Sequence, residues 1–198
     1  MEQGPSIRTF RSTNMLRMVL LGAPGVGKGT QGQLLATAMS LPYLGTGELM
    51  RAEMERATPR AAQMRADINA GRLVPDELAL DIIGEMVVQN EQGFILDGFP
   101  RTVAQARSLD KLIEPRLMEI DAVIRFQLDE SEILRRLLLR RRADDEAAIV
   151  RARLDTYSLN EEEIVNHYQG RIVELDASGD EETVFDRLLE AVREVLPR

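Results

Sequence analysis

A glycine-rich loop between an apolar strand and a helix constrains the fold of this chain more than any other feature. Residues 18–21 form a short apolar run that ends at Gly22, and residues 31–39 have the spacing of a helix. Between them lies Gly22-Ala-Pro-Gly-Val-Gly-Lys28-Gly-Thr30. Glycines let backbone N–H groups converge on phosphate oxygens, while the helix N-terminus and Lys28 add positive charge. The segment therefore predicts a nucleotide phosphate-binding loop.

The rest of the chain alternates short apolar runs with amphipathic stretches. We predict further strands at residues 41–44, 94–96, 122–126 and 171–175, and further helices at residues 75–86 and 182–195. This alternation predicts an α/β protein with a parallel sheet covered by helices on both faces. At 198 residues, we expect a single domain over residues 15–198, preceded by a flexible leader at residues 1–14.

Composition excludes several classes of function. The chain has no cysteine and one histidine, so it cannot build a disulfide, a zinc ribbon, a thiol nucleophile or a multi-histidine metal site. A net charge of −8 disfavours general binding to nucleic acids or anionic membranes. No apolar run approaches the roughly 20 residues that cross a bilayer. The N-terminal region also lacks the apolar core of a signal peptide. We therefore expect a cytoplasmic protein.

A second motif follows the predicted strand at residues 94–96. Asp97 comes directly after this apolar run, at the position where P-loop enzymes keep the carboxylate that organises Mg²⁺. The turn Gly98-Phe-Pro-Arg101 comes next, and Gln105 lies four residues further along. We expect this turn to project the guanidinium of Arg101 above the ends of the strands.

An arginine-rich stretch occupies residues 133–142 and continues at residues 151–157. Such a run is usually a solvated helix face, or less often a nucleic-acid patch. Phosphoryl transfer gives it another use, because fixed cations neutralise the charge on the moving phosphoryl group. Arg136 and Arg140 are four residues apart and share a helix face. The adjacent carboxylates of residues 144 and 145 could hold Arg142 and Arg153 by bidentate hydrogen bonds.

Together these motifs resemble the adenylate kinase family of nucleoside monophosphate kinases over nearly the whole chain after Met15. The general P-loop pattern places serine or threonine directly after the lysine, whereas here Gly29 precedes Thr30, as in that family. The resemblance implies a P-loop parallel five-stranded sheet flanked by helices, with a helical AMP-binding insertion at residues 45–74 and a very short lid at about residues 140–142. The implied ATP contacts are Gly25, Val26, Gly27, Lys28, Gly29, Thr30, Arg136, Arg140 and Gly179.

The same resemblance implies an AMP site. The segment Gly45-Thr-Gly-Glu-Leu-Met-Arg51 matches an AMP-binding motif of the family, although Gly45 stands where a serine is usual. Arg101 would bind the α-phosphate of AMP, and Gln105 would read the adenine edge. Residues 52–70 are expected to be helical and solvent-facing. The implied AMP contacts are Thr46, Arg51, Arg72, Leu73, Val74, Gly98, Phe99, Pro100, Arg101, Gln105, Arg142 and Arg153.

The implied reaction is reversible phosphoryl transfer from MgATP to AMP, which gives two ADP. Asp97 would hold Mg²⁺ through water, and no structural zinc is expected because the lid is too short to carry it. Arg135 and Arg141 match no motif role. We expect a monomer whose partners are ATP, AMP and ADP, with no nucleic acid or membrane. The implied catalytic residues are Lys28, Arg101, Arg142 and Arg153.

Three alternatives stay open at this point. A UMP or CMP kinase shares the phosphate loop and the Phe-Pro-Arg turn, although Gln105 favours adenine. A catalytically inactive P-loop regulator would bind nucleotide, yet binding alone does not require Arg142 and Arg153 beside Lys28. An arginine-rich nucleic-acid binder is disfavoured by the acidic net charge.

Overall fold

Five parallel strands form the centre of the protein. The structure is a computed structural model that describes residues 16–70, 72–140 and 147–195; the predicted leader and the predicted lid residues 141 and 142 lie outside these ranges. The described strands are β1 (Arg17–Leu21), β2 (Tyr43–Gly45), β3 (Phe94–Asp97), β4 (Ala122–Gln127) and β5 (Ile172–Asp176). They form one sheet in the order β2-β3-β1-β4-β5, and every neighbouring pair is parallel. The predicted fold class is confirmed.

Helices connect the strands and flank the sheet, as expected for parallel pairing. No helix in the described ranges combines the length and hydrophobicity that a membrane span requires. The described α-helices are α1 (Lys28–Met39), α2 (Thr46–Met54), α3 (Pro59–Asn69), α4 (Asp76–Gln89), α5 (Val103–Ile113), α6 (Glu130–Arg140), α7 (Ala147–His167) and α8 (Glu181–Val195).

The segment predicted as one solvent-facing helix at residues 52–70 differs from expectation. It contains the end of α2 and all of α3, because Pro59 starts a new helix and the Thr58 hydroxyl accepts a hydrogen bond from the Ala61 amide at 3.1 Å. The side chains of Ala61, Met64 and Asp67 are buried, so α3 has an inward face. The break between the two helices follows from the N-cap and the proline.

Each face of the sheet carries its own apolar core. Side chains alternate along β1, so Val19 and Leu21 pack with α4, α5 and α7, whereas Met18 and Leu20 pack with α1 and α8. Both sets are buried, which explains why residues 18–21 of β1 are a continuous apolar run. A third cluster joins α6 and α7 beside the phosphate loop. Since all strands are parallel, their carboxyl ends meet at one edge, where ligands bind in open α/β sheets.

Candidate active site

A cleft of about 650 Å³ opens at the carboxyl edge of the sheet. It is bordered by the phosphate loop, the ends of β2 and β3, helices α6 and α7, and the loop after β5. Fifteen of the residues predicted from the sequence line it: Gly25, Val26, Gly27, Lys28, Gly29, Thr30, Arg51, Leu73, Asp97, Gly98, Pro100, Arg101, Arg136, Arg153 and Gly179.

The phosphate loop curls around the ammonium group of Lys28. The Nζ atom donates hydrogen bonds to the carbonyl oxygens of Gly22 at 2.7 Å and Ala23 at 3.0 Å. Helix α1 begins at Lys28, three residues before the predicted start, so its N-terminal amides belong to the loop itself. The loop also packs tightly on α6, because a Cβ added at Gly25 would lie 2.6 Å from Cγ of Leu137. The charge of Lys28 and the N-terminus of α1 therefore face the same cleft.

Arg136 joins two walls of the cleft. Its Nη1 atom donates to the Val26 carbonyl at 3.2 Å, and its Nη2 atom donates to the carbonyls of Ala177 at 3.1 Å and Gly179 at 3.3 Å. The phosphate loop and the loop after β5 are thus linked through one guanidinium, whose planar fork suits several acceptors. Glu132 accepts from Nε of the same arginine at 2.9 Å.

Glu132 also explains Arg135, an arginine without a motif role. The Arg135 guanidinium donates to both oxygens of Glu132, from Nε at 2.6 Å and from Nη2 at 2.8 Å. These hydrogen bonds, followed by the one from Arg136, lower the pKa of Glu132 to about 2. The carboxylate holds Arg136 in register with the phosphate loop. The i, i+3 and i, i+4 spacing of these three residues was the signal in the sequence.

Asp97 lies at the end of β3, and its carboxylate is hydrogen-bonded to Tyr43. The Tyr43 hydroxyl donates to Oδ2 of Asp97 at 2.7 Å. Thr30 in the first turn of α1 lines the same cleft. Carboxylate and hydroxyl oxygens are hard ligands of the kind that Mg²⁺ accepts directly or through its waters, so the donor set fits a magnesium ion. No group of three metal-ligating side chains occurs in the part of the chain that the structure describes.

The turn after β3 places Arg101 and Gln105 side by side. The backbone amide of Arg101 donates to Oε1 of Gln105 at 2.7 Å, and Nε of Arg101 donates to the Gly98 carbonyl at 2.7 Å. The Nε2 atom of Gln105 donates to Oδ1 of Asp76 at 2.8 Å. The Gln105 side chain is buried, with only 2% of its surface exposed. Asp76 was not predicted as a site residue.

A smaller cavity of about 30 Å³ adjoins the cleft. Leu73, Gly98 and Arg101 border both spaces, so the two are neighbours across these residues. The wall of the smaller cavity includes four more residues of the predicted AMP site: Thr46, Val74, Phe99 and Gln105.

The remaining predicted residues are placed as follows. Arg72 lines neither space; its exposed guanidinium pairs with Asp67 at 2.9 Å. Arg142 lies outside the described residues, and only the backbone of Arg140, at the end of α6, is described. His167, the one histidine of the chain, has its Nε2 atom 2.7 Å from Oδ2 of Asp110, and neither residue lines the cleft.

The fold, the phosphate loop and the arginines around it define a P-loop nucleotide-binding protein. Comparison with known proteins narrows this class. The model of the adenylate kinase family matches residues 20–173. An adenylate kinase of Corynebacterium urealyticum is 39% identical over 176 residues, which cover 88% of this chain and 97% of that protein. An adenylate kinase of Prochlorococcus marinus is 39% identical over 170 residues, which cover 85% and 93%. The chain belongs to the adenylate kinase family.

Proposed function

We propose that the protein catalyses the reaction of the adenylate kinase family and that its two substrates are divided between the two spaces. MgATP binds in the cleft, and the base of AMP binds in the small cavity. The reaction is reversible transfer of the terminal phosphoryl group of ATP to AMP, which yields two ADP. One observation carries this division: Arg101 borders both spaces, and Lys28 and Asp97 line the larger one. A phosphate group beside Arg101 would therefore lie between the two nucleotides.

Charge neutralisation and positioning are the main tasks of the site, because phosphoryl transfer needs little covalent help from the protein. We assign the transferred phosphoryl group to Lys28 and the α-phosphate of AMP to Arg101. Arg153 on α7 faces the same cleft and would balance charge on the two phosphate chains. Arg142 has the same proposed task, which rests on the family resemblance alone.

Magnesium would be held through water by Asp97, near the Thr30 hydroxyl. When bound, the ion would neutralise charge on the phosphate oxygens of ATP. Tyr43 holds one oxygen of the Asp97 carboxylate and so fixes the orientation of the group.

Binding of AMP requires a change of shape. The small cavity, at about 30 Å³, is too small for a purine ring. Met50 of α2 and Leu73 lie in its wall, so we propose that the insertion at residues 45–74 moves outward to admit the base. Closure over both nucleotides, with a short lid at residues 140–142, would exclude water and prevent hydrolysis of ATP.

We further propose that the enzyme acts as a cytoplasmic monomer. Equilibrium sedimentation of the full chain tests the oligomeric state. A dimer that dissociates with loss of activity would contradict the proposal.

The direct test is transfer from MgATP to AMP, CMP, UMP and GMP, with a reaction lacking acceptor as the control for hydrolysis. We expect ADP to form rapidly with AMP and slowly or not at all with the others. Fast transfer to UMP or CMP would keep the mechanism but overturn the assignment of the base. Binding of nucleotide without any transfer would support the inactive regulator.

A further inference from the structure

We infer that Asp76 is a specificity-determining positioning residue: it locks the Gln105 amide in the one orientation that accepts the hydrogen-bonding edge of adenine and rejects those of uracil and guanine. This inference rests on the proposed role of Gln105 as the residue that reads the base.

The orientation of the Gln105 amide follows from its two protein partners. The backbone N–H of Arg101 can only donate, so the atom that it contacts at 2.7 Å must be the amide oxygen. On the other side, the carboxylate oxygen Oδ1 of Asp76 accepts a hydrogen bond at 2.8 Å from the amide nitrogen of Gln105. A flipped amide would place oxygen against carboxylate and N–H against N–H. Both partners therefore specify the same orientation.

Asp76 is itself held in place by the fold. It is the first residue of α4, following Pro75, and its other oxygen, Oδ2, lies 3.3 Å from the donating hydroxyl of Thr102. Thr102 is also the N-cap of α5, and its hydroxyl oxygen accepts a hydrogen bond from the backbone N–H of Gln105 at 3.1 Å. The starts of α4 and α5 are thus joined around the Gln105 side chain, which is 2% exposed. Because Gln105 is buried and its partners Asp76 and Thr102 are half-buried, leaving the Gln105 side chain unpaired is costly.

The hydrogen bonds to Asp76 and Arg101 leave the Gln105 side-chain amide with one remaining N–H and one remaining lone pair. A primary amide has two N–H donors and two oxygen lone pairs, and Asp76 and Arg101 take one of each. Adenine offers an acceptor at N1 and a donor at its 6-amino group, and both match what remains. Guanine and uracil offer the reverse, a ring N–H beside a carbonyl oxygen. With the base held in the same position, reading them would require the flipped amide that Asp76 opposes.

Cytosine gives the sharpest test of this inference. Its ring nitrogen N3 accepts and its 4-amino group donates, so its edge repeats the pattern of adenine on a smaller ring. CMP and UMP have the same size and differ mainly in this edge. The ratio of kcat/KM for CMP to that for UMP therefore reports edge reading separately from the fit of the ring in the cavity.

The experiment compares kcat/KM for AMP, CMP and UMP in the full-length enzyme and its variants. For Asp76→Ala we expect the CMP to UMP ratio to fall by about tenfold, together with a loss of activity toward AMP. Asp76→Asn keeps an acceptor oxygen at the same place and should retain most of the ratio. Glu77→Ala removes a carboxylate from the same first turn of α4, where the side chain is exposed, and should leave the ratio unchanged.

Different outcomes contradict the positioning role of Asp76 and the base-reading role of Gln105. If Asp76→Ala lowers activity toward all acceptors equally, Asp76 has only a structural role and the inference is overturned. Gln105→Ala then tests the proposed role of Gln105 as the residue that reads the base. A ratio lost in Gln105→Ala but kept in Asp76→Ala refutes the lock alone, whereas a ratio unchanged in both variants refutes base reading by Gln105.

Discussion

The phenol of Tyr43 donates a 2.7 Å hydrogen bond to Oδ2 of Asp97, which joins β2 to β3 at the edge where the nucleotide cleft opens. The Tyr43 ring lies against two glycines. A Cβ added at Gly45 would lie 2.7 Å from Cε1 of the ring, and one added at Gly32 would lie 2.7 Å from Cε2. The glycine found in place of a serine at position 45 is therefore explained by the space that the tyrosine occupies.

This relationship makes a prediction about magnesium. Tyr43→Phe keeps the ring and removes the donor, so the Asp97 carboxylate loses one of its constraints. We expect the Mg²⁺ concentration for half-maximal activity to rise by about tenfold, because hydrogen bonds to charged groups are among the stronger ones. Calorimetric titration with ADP should show weaker binding with Mg²⁺ present and unchanged binding in EDTA.

Tyr168→Phe is the control for the loss of a phenol, since that hydroxyl contacts Asp110 at 3.2 Å rather than the cleft. Equal Mg²⁺ dependence in Tyr43→Phe and the unmodified enzyme would remove Tyr43 from the metal site.

The lack of space beside Tyr43 also predicts that alanine variants at two helix glycines differ in stability. Gly32→Ala would place a methyl group 2.6 Å from Cδ1 of Leu20 as well as against the Tyr43 ring, and overpacking of this kind costs about 1–3 kcal/mol. Gly84→Ala meets Cδ2 of Leu112 at 3.4 Å, an ordinary contact, and gains helix propensity of about 0.5–1 kcal/mol. Urea unfolding should therefore rank Gly84→Ala above the natural protein and Gly32→Ala below it. The reverse order would show that Tyr43 and Leu20 move aside freely.

The limits of sequence-based prediction follow from how far apart the interacting residues are. The phosphate loop could be predicted because its glycines, Lys28 and the flanking strand and helix are consecutive. The pairs Tyr43–Asp97 and Asp76–Gln105 are 54 and 29 residues apart, so only the parallel order of strands and the meeting of α4 with α5 bring them together. The start of α1 was predicted late, since its first residues have no apolar periodicity and are helical only because they complete the loop.

The two lysines of the chain provide a matched pair for the catalytic proposal. Lys28 donates to two loop carbonyls in the cleft, whereas Lys111 is exposed on α5. We expect Lys28→Ala to lower kcat by about 10²–10³, the loss typical of a group that stabilises transition-state charge. Alanine suits the first turn of a helix, so the circular dichroism spectrum and the melting temperature should change little. Lys111→Ala should keep full activity. Near-normal turnover in folded Lys28→Ala would overturn the assignment.

The lowered pKa of the Glu132 carboxylate predicts how the free energy of unfolding depends on pH. Hydrogen bonds from Arg135 and then Arg136 lower its pKa to about 2 from an ordinary value of 4.5. A carboxylate with a lowered pKa in the folded state stabilises that state fully above 4.5 and loses the effect as the pH falls toward 2. The difference in unfolding free energy between the natural protein and Glu132→Gln should therefore be largest at neutral pH and shrink between pH 4.5 and 2. Urea unfolding at several pH values measures it, with Glu85→Gln on the exposed side of α4 as the control for loss of a carboxylate. A difference that does not vary with pH would mean that glutamine serves the two arginines as well as the carboxylate does.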